Sequence, residues 1–333
     1  MGAGGGRILV TGGAGYVGSA LVPRLLDAGH AVTVLDRYFY GHAAFATLAG
    51  HPELRQIEGD IRDPDAVARS LQGVGAVIHL ACISNDPSYD LDPGLGKSIN
   101  FDAFGPLVRA AKQAGVARFI YASSSSVYGV KDEAQVTEAL SLAPLTDYSK
   151  YKALCEDVLQ EERAPGFVTV TVRPSTVCGY ARRLRLDLVV NILTNQAVHR
   201  GKITVLGGTQ MRPNIHIDDM VDAYLLLLQQ PEALIDGQVF NVGGRNHTVA
   251  ELAEIVRATI DPTLTVEVKP SNDLRSYRIS SDKIRRELGW GARRTVADAV
   301  RDLKRAFDNQ LVRDPLDNPF YFNIKRMQEL HVA

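Results

Sequence analysis

Tyr148 and Lys152 are spaced so that the lysine could help the tyrosine to move a proton. They lie four residues apart at the start of residues 148–162, whose apolar spacing predicts an amphipathic helix, so both side chains share one helix face. A free phenol has a pKa of about 10, and a neighbouring cation is needed to form its phenolate near neutral pH. Because this spacing is common on helix surfaces, the acid–base hypothesis depends on further residues.

Ser124 lies in a hydroxyl-rich turn, residues 123–126, that follows a predicted strand at residues 118–122. Serine-rich turns are commonly plain loops, but this one stands at the end of a strand and shortly before Tyr148. Ser124 is therefore a candidate to polarise a substrate hydroxyl group. We expect Ser124, Tyr148 and Lys152 to form the catalytic set.

Gly12, Gly15 and Gly18 follow a buried strand and open a helix. In a dinucleotide site the first glycine permits a tight turn, the second lets the backbone approach a pyrophosphate, and the third allows close helix–strand packing. Such glycines also occur in ordinary strand-to-helix turns. Asp36 ends the next strand, where a carboxylate binds the adenosine ribose and repels a 2′-phosphate, which favours NAD over NADP. Arg37 follows and could instead pair with such a phosphate.

Other residues at strand ends extend the predicted cofactor site. Asp60 and Ile61 follow the third strand and could contact adenine, although Asp60 could also cap the helix that starts near Pro64. His79 ends the fourth strand and is predicted to be a packed core histidine. The remaining expected cofactor contacts are Tyr16, Val17, Leu80, Ala81, Asn100, Tyr148 and Lys152.

The elements that must position these residues alternate along the first half of the chain. Strands are predicted at residues 7–11, 31–36, 54–58, 76–80, 118–122 and 168–173, and helices between them at 15–28, 64–71, 106–114 and 148–162. Short apolar strands joined by crossover helices indicate an α/β fold with a Rossmann-type, doubly wound parallel sheet. Ligands are expected at the carboxyl ends of its strands.

After Pro174 the pattern becomes less regular, which predicts a smaller, discontinuous C-terminal α/β substrate lobe. Further elements are predicted at residues 186–199, 203–206, 218–228, 238–242, 249–259, 281–288 and 295–307. The apolar strand at 238–242 suggests that the chain re-enters the first domain. We therefore expect a dinucleotide-binding domain at 1–175, re-entered at about 214–245, and a substrate lobe at 176–213 and 246–333.

Composition excludes several classes of protein. The 333 residues are 45% hydrophobic and 23% charged with a formal net charge of -1, so no electrostatic bias toward nucleic acid or membranes is expected. No stretch reaches the roughly 20 apolar residues of a membrane span. The three cysteines form no Cys-x-x-Cys pair, so we expect no metal site and a reducing, cytoplasmic location.

Together these motifs resemble the extended short-chain dehydrogenase/reductases, in particular the UDP-galactose 4-epimerase-like nucleotide-sugar epimerases and dehydratases. The resemblance includes residues 11–18, 36, 59–61, 79–81, 100, 123–129, 148–152, 172–174, 212–217 and 287–290. It implies an NAD cofactor, a homodimer formed through two helices, Tyr148 as acid and base, and Lys152 on the nicotinamide ribose. Related 4,6-dehydratases have Asp and Glu where this chain has Ser125 and Ser126, and related decarboxylases have Glu at the second position.

The resemblance also implies a nucleotide-diphosphate sugar as substrate, with its diphosphate near Arg212 and Arg275. The segment at residues 182–191 resembles a block in dehydrogenases and epimerases that act on nucleotide-linked heptoses, and a solvated basic turn before a helix is a competing explanation. Thr176 stands where many relatives have an asparagine. The expected substrate contacts are Ser84, Ser125, Ser126, Thr176, Arg185, Asn191, Arg212 and Arg275.

The leading hypothesis is a nucleotide-sugar epimerase that inverts C4 of a hexose or heptose through a 4-keto intermediate. One alternative is a 4-dehydrogenase or 4-ketoreductase that releases its keto or reduced sugar. Another is a catalytically silent relative that binds dinucleotide as a sensor. The nucleotide base and the sugar are left open by the sequence.

Overall fold

The computed structural model describes residues 6–271 and 276–330 and contains twelve strands. The first seven are β1 Arg7–Thr11, β2 Val32–Asp36, β3 Leu54–Glu58, β4 Val74–His79, β5 Arg118–Ala122, β6 Val168–Pro174 and β7 Thr176–Cys178. The others are β8 Lys202–Leu206, β9 Met211–His216, β10 Gln238–Val242, β11 Asn246–Thr248 and β12 Thr265–Lys269.

Thirteen α-helices connect these strands in the described part of the chain. They are α1 Tyr16–Asp27, α2 Pro64–Ser70, α3 Asp86–Tyr89, α4 Pro93–Lys97, α5 Phe104–Gln113, α6 Asp147–Glu161, α7 Val189–Arg200, α8 Ile217–Gln229, α9 Glu232–Ile235, α10 Val249–Ile260, α11 Asp282–Leu288, α12 Val296–Asp308 and α13 Asn323–Glu329. None of the helices in the described residues has both the length and the apolar character to cross a membrane.

The main sheet has seven parallel strands in the order β10-β6-β5-β4-β1-β2-β3. Because all strands run the same way, their carboxyl ends meet at one edge, and the strand order reverses direction between β1 and β4. Crevices at such switch points are where doubly wound sheets bind ligands. The predicted Rossmann-type fold is confirmed.

Alternation along the strands explains why helices cover both faces of this sheet. Ile8 and Val10 face the core that includes α1 and α8, whereas Leu9 lies between them and faces the core that includes α2, α5 and α6. Successive side chains of a strand point to opposite faces, so a continuous apolar strand needs an apolar layer on each side.

The second lobe contains two small sheets, β11-β9-β7 and β12-β8, packed with α7, α10 and α12. The predicted strand at 238–242 is β10, and it lies in the main sheet beside β6. The range assigned to the lobe at 246–333 needs correction, however. Ile284 and Trp290 pack against the apolar side chains of the core that includes α1 and α8. Met327 packs against those of the core that includes α2, α5 and α6.

The last described helix returns to the first half of the chain. Arg326 of α13 donates a 2.7 Å hydrogen bond to the backbone oxygen of Phe39, and Asn323 donates a 3.0 Å bond to the Ser84 hydroxyl. α13 therefore brings residues from the far end of the sequence against the loops that follow β2 and β4.

Candidate active site

A capping box at the start of α6 sets the position of Tyr148 and Lys152. Thr146 accepts from the backbone N–H of Ser149, and the Ser149 hydroxyl accepts from the backbone N–H of Thr146. This reciprocal arrangement satisfies two N–H groups that the first helical turn would otherwise leave unpaired. Tyr148 consequently lies in the first turn, with Lys152 one turn later on the same face.

Lys152 is fixed at the carboxyl end of β5. Its side chain is buried, Nζ donates a 2.7 Å hydrogen bond to the backbone oxygen of Ala122, and Nζ lies 5.1 Å from the ring centroid of Tyr121. Both contacts restrict a side chain that is otherwise mobile. The ammonium group is therefore held where the main sheet ends.

Ser124 caps the 3-10 turn Ser125–Tyr128 that follows β5. Its Oγ accepts from the backbone N–H of Ser126 at 3.1 Å and lies 2.8 Å from the Ser126 hydroxyl. Gly129 ends the turn with φ of +66°, and a side chain there would overlap the backbone oxygen of Ala143. The sharp turn leaves the serine hydroxyls beside the end of β5.

A cavity of about 910 Å³ brings the predicted catalytic set together. Ser124, Tyr148 and Lys152 all line it, and so do Ser125 and Ser126. This volume lies toward the upper end of the range of about 300–1,000 Å³ that is usual for ligand sites. The cavity is thus large enough for a dinucleotide and part of a second ligand.

Burial raises the pKa of Tyr148 well above its usual value, and the nearby Cys82 and Asp86 raise it further. Arg185 is a cation that opposes this rise. The sequence hypothesis gave that task to Lys152, whose ammonium lies against Ala122, and an effect of Lys152 on the phenol stays a prediction. In the protein by itself the phenol is protonated at neutral pH.

The glycine turn has the properties that a dinucleotide site requires. Gly12 has φ of +70°, and a Cβ there would lie 2.6 Å from the backbone nitrogen of Ala81, while a Cβ on Gly18 would overlap the backbone of Gly13. Gly15 starts α1 and lines the cavity, where a Cβ would meet only the Gly12 oxygen at 3.1 Å. The backbone is therefore open to a phosphate at the N-terminal end of α1.

Asp36 lies at the cavity wall and joins two loops. One carboxylate oxygen accepts from the backbone N–H of Ala14 at 2.9 Å, and the other accepts from that of Tyr38 at 2.8 Å. Burial raises the pKa of this carboxyl group, and the two hydrogen bonds oppose the rise. The carboxylate is held rigidly at the end of β2, where the ribose of a dinucleotide is expected.

Arg37 lines the cavity but forms an ion pair with Asp60. Its Nη1 donates to Asp60 Oδ2 at 2.9 Å, and Asp60 also accepts from Arg62 at 2.7 Å. The carboxylate partner offsets the charge that would recruit a 2′-phosphate. The helix-cap alternative for Asp60 is wrong, because Asp63 caps α2 by accepting from the backbone N–H of Asp65.

Most of the other predicted cofactor residues also line the cavity. They are Tyr16, Val17, Leu80, Ala81 and Ile61. His79 does not line it: its Nδ1 lies 2.7 Å from the Thr11 hydroxyl, and burial lowers its pKa to about 3. The interpretation of His79 as a packed core histidine is confirmed.

Asn100 departs from its predicted role as a cofactor contact. Its Oδ1 accepts from the backbone N–H of Ile83 at 2.8 Å, and its Nδ2 donates to the Ile83 oxygen at 2.9 Å. The side chain is buried and does not line the cavity. Asn100 instead fixes the loop after β4, because both of its polar atoms bind that loop.

The predicted substrate residues divide in a similar way. Ser84, Thr176, Arg185 and Arg212 line the cavity together with the serines after β5. Asn191 does not, and this prediction is corrected: its side chain is fully buried. Its amide group binds the Tyr16 hydroxyl and the backbone of Gly179 and Arg185. Arg275 lies outside the described residues.

Several cavity residues were missed by sequence reasoning. Tyr40, Asp187 and Asn323 line the side near the first lobe. A basic group lines the side near the second lobe and comprises Arg200, Lys202 and Lys269. Lys202 and Lys269 begin and end the paired strands β8 and β12, which are far apart in sequence, so spacing gives no signal for them.

His216, Asp218 and Asp302 form the one group in the described residues whose side-chain atoms lie close enough for metal ligation. His216 Nε2 lies 3.2 Å from Asp302. Both carboxylates also face an arginine, since Arg294 lies 3.5 Å from Asp218 and Arg305 lies 3.2 Å from Asp302. These pairings make the group an ion-pair cluster on the second lobe.

The parallel sheet, the glycine turn and the Ser124, Tyr148, Lys152 set define a short-chain dehydrogenase/reductase of the extended type. The sequence model of the NAD-dependent epimerase/dehydratase family matches residues 8–243. The chain belongs to this family. Its glycine turn and its acidic residue after β2 fit the NAD that gives the family its name.

Curated proteins that are similar to this chain differ in their chemistry. The chain is 31% identical to dTDP-glucose 4,6-dehydratase of Streptomyces niveus over 94% of this chain and 96% of that protein. It is 28% identical to UDP-glucose 4-epimerase of Lactobacillus helveticus over 88% and 94% of the two chains. It is also 30% identical to UDP-glucuronic acid decarboxylase 1 of Arabidopsis thaliana, over 92% of this chain and 71% of that protein.

Solved structures show the same spread. A dTDP-glucose 4,6-dehydratase from Streptomyces venezuelae with NAD bound has a TM-score of 0.83 and 28% identity, covering 93% of this chain and 100% of that one. A UDP-glucose 4-epimerase from Thermotoga maritima with UDP-glucose has a TM-score of 0.82 and 25% identity, covering 92% and 100%. The reaction must therefore be argued from the residues of the site.

Proposed function

We propose that this protein is an NAD-dependent nucleotide-sugar epimerase that inverts C4 through a 4-keto intermediate. The observation that carries the proposal is the pair of neutral hydroxyl side chains, Ser125 and Ser126, beside Ser124 in the cavity. Elimination of water needs an acid and a base at these positions, and a serine hydroxyl supplies neither near neutral pH. Oxidation and re-reduction at one carbon need only the catalytic set.

Each residue of the set has one task in this reaction. Tyr148 acts as the phenolate, and its oxygen takes the proton of the sugar 4-hydroxyl while Ser124 hydrogen bonds the same hydroxyl oxygen and holds it in place. Formation of this phenolate requires that positive charge from Lys152 and from bound NAD lower the pKa of the phenol below its raised value in the protein by itself. Bound NAD supplies the hydride acceptor and later the hydride donor at C4. Tyr148 would then return the proton to the C4 oxygen as the keto group is reduced on its opposite face, so that the inverted alcohol would form without net use of cofactor.

The different charges at the two ends of the cavity support a nucleotide-diphosphate sugar as the substrate. Arg212, Arg200 and Lys202 place positive charge on the second-lobe side, which suits a diphosphate, whereas the charge of Lys269 is offset by Glu267 at 3.4 Å. Near Tyr148 the charge is balanced instead, because Arg185 donates to both oxygens of Asp187 at 2.9 and 3.2 Å. This balance favours an uncharged hexose or heptose over a uronic acid.

The test is incubation of the purified protein with UDP-, GDP-, ADP-, CDP- and dTDP-linked hexoses and heptoses. Products are followed by NMR while the absorbance of reduced nicotinamide is recorded. A C4 epimer without accumulation of NADH supports the proposal. A keto sugar formed with stoichiometric NADH would make the protein a dehydrogenase. Tyr148→Phe serves as the catalytic control and should abolish turnover without loss of bound NAD.

We also propose a homodimer formed through α5 and α6. The side chains of Phe101, Tyr151, Leu154 and Val158 on and beside these helices are only partly covered, and a second copy would bury them. Light scattering after size-exclusion chromatography should give twice the chain mass of 36.2 kDa. Val158→Glu should shift the protein to a monomer, whereas Leu206→Glu on exposed β8 should not.

We propose a reducing, cytoplasmic location because the three cysteines form no disulfide bond in the described residues. Cys82, Cys155 and Cys178 are all free thiols, and Cys155 and Cys178 are buried. Burial raises the pKa of both buried thiols to about 12, which keeps them protonated. Cys82 lines the cavity, where oxidation would obstruct the ligand. Fractionation of the source cells tests this location.

A further inference from the structure

Arg183 is a buried cation without a matching anion in the described structure. It is 6% exposed and lines the cavity, and no carboxylate of the described residues lies within ion-pair distance of it. Its Nε has no hydrogen-bond partner there. Burial lowers the pKa of Arg183 to about 10, so the guanidinium is still charged at neutral pH. An unpaired buried charge is costly unless a ligand provides its counterion.

The position of Arg183 points to the cofactor side of the cavity. Its backbone N–H donates to the hydroxyl of Ser19 in α1 at 3.1 Å. The Tyr16 hydroxyl, in the first turn of the same helix, donates to the Gly179 oxygen at 2.5 Å. Burial raises the pKa of Asp36, and Arg183 is one of the groups that oppose this rise. The backbone of Arg183 therefore lies beside α1, and its guanidinium lies within electrostatic range of Asp36 at the end of β2.

Its side chain is also held in a fixed orientation. The guanidinium carbon lies 3.6 Å from the ring centroid of Tyr40, and Nη2 donates to Asn323 Oδ1. Asn323 is itself anchored, because its backbone N–H donates to Asp187 at 3.0 Å and its Nδ2 donates to Ser84 at 3.0 Å. A fork held in this way is organised before a ligand arrives.

We propose that Arg183 binds the pyrophosphate of NAD together with the N-terminal end of α1. The helix end supplies only about half a positive charge, and a pyrophosphate carries two negative ones. Arg183 supplies a full charge on a planar fork of the kind that suits phosphate oxygens. The basic segment at residues 182–191, for which the sequence left two explanations open, is thereby divided into a cofactor contact at Arg183 and a sugar-end residue at Arg185. This inference rests on the proposed NAD cofactor and not on the reaction.

A diphosphate could come from NAD or from the nucleotide sugar, and the two sources are separable. Arg183 is fastened to α1, whereas the basic residues on the second-lobe side, including Arg212, are expected to hold the sugar nucleotide. A loss of affinity for NAD without a loss for UDP identifies the NAD pyrophosphate. A loss for UDP alone would assign Arg183 to the substrate and overturn the proposal.

The experiment is calorimetric titration of the full-length protein, freed of bound cofactor, with NAD and separately with UDP. Arg183→Met should bind NAD roughly ten- to a hundredfold more weakly, as expected for the loss of charged hydrogen bonds, and should bind UDP as the wild type does. Arg182→Met is the matched control. Arg182 is exposed and contacts Thr47, so its loss should change NAD affinity less than twofold. Unchanged NAD affinity in Arg183→Met would refute the proposal.

Arg183→Lys keeps the inference testable if Arg183→Met fails to fold. Lysine retains the charge but loses the planar fork and its stacking on Tyr40, so NAD affinity should fall about three- to tenfold. The melting temperature without ligand should stay near that of the wild type, while the increase on adding NAD should be smaller. A folded Arg183→Lys protein with wild-type NAD affinity would contradict the proposed contact. Failure to find any sugar substrate would leave these binding results unaffected.

Discussion

The hydroxyl oxygens of Ser124 and Ser126 lie 2.8 Å apart, and Ser124 also accepts from the backbone N–H of Ser126. The second hydroxyl thus orients the first, which is the one expected to contact the substrate. Ser124→Ala should lower kcat about 10²- to 10³-fold, as for loss of a donor at a reacting oxygen. Ser126→Ala should lower it less than about tenfold, since only one supporting hydrogen bond is lost. Steady-state kinetics by NMR, with bound NAD quantified for each variant, measures both effects. Equal losses would contradict the separate roles.

Arg185 should tune the pH dependence of the reaction. Burial raises the pKa of Tyr148 and Arg185 opposes the rise, so removing this cation moves the pKa of the phenol upward. Because the phenolate is the base, the rising limb of the rate profile should shift to higher pH in Arg185→Gln. The kcat/KM measured across pH checks this shift. Arg182→Gln, which removes an exposed charge, should leave the profile in place, and a shift to lower pH in Arg185→Gln would disprove the assignment.

Asp36 should control discrimination between NAD and NADP. Asp36→Asn keeps an oxygen for only one of the two backbone N–H groups, of Ala14 and Tyr38, that bind the carboxylate, but it removes the charge that repels a 2′-phosphate. The affinity for NADP relative to NAD should rise at least about tenfold, as expected from relief of a close like-charge contact. Titration with each dinucleotide measures the ratio. Asp63→Asn removes a negative charge outside the cavity, keeps an oxygen that can cap α2, and should leave the ratio unchanged.

The buried ion pair between Glu156 and Arg173 should dominate local stability behind the catalytic helix. Their side chains are 7% and 6% exposed, and Arg173 donates to both carboxylate oxygens. Glu156→Gln leaves the guanidinium without its counterion and should lower the free energy of unfolding by about 3–5 kcal/mol. Urea unfolding measures the loss. Glu161→Gln, on the exposed side of the same helix, should cost less than about 0.5 kcal/mol.

The main sheet was predictable because its strands are apolar on both faces. Strands buried on both sides appear as continuous runs, and six of the seven main-sheet strand predictions agree with the structure to within one residue at each end; β4 differs by up to two. β7 and β11 were missed because each has three residues, too few to show a period. α13 was missed because only Asn323 and Met327 of its seven residues are buried.

The sequence predicted which residues line the cavity better than it predicted what each polar side chain contacts. The glycine turn, Asp36 and the catalytic set follow from local spacing, and all of them line the cavity. Asn100 and Asn191 were misjudged, since an amide that binds backbone and one that binds a ligand look alike in sequence. Arg183 had no distinguishing signal, because its burial depends on Tyr40 and Asn323, which are distant in the chain.

The hydrogen bond between Ser84 and Asn323 joins residues 239 positions apart. At synthesis rates of about 5–20 residues per second, roughly 10 to 50 seconds separate the emergence of these two residues from a ribosome. During that interval the parallel sheet can form, but the wall that carries Asn323 cannot. The nascent first domain therefore passes through a stage in which its nucleotide pocket stands open on one side, and the cell's free dinucleotide can enter before that side closes.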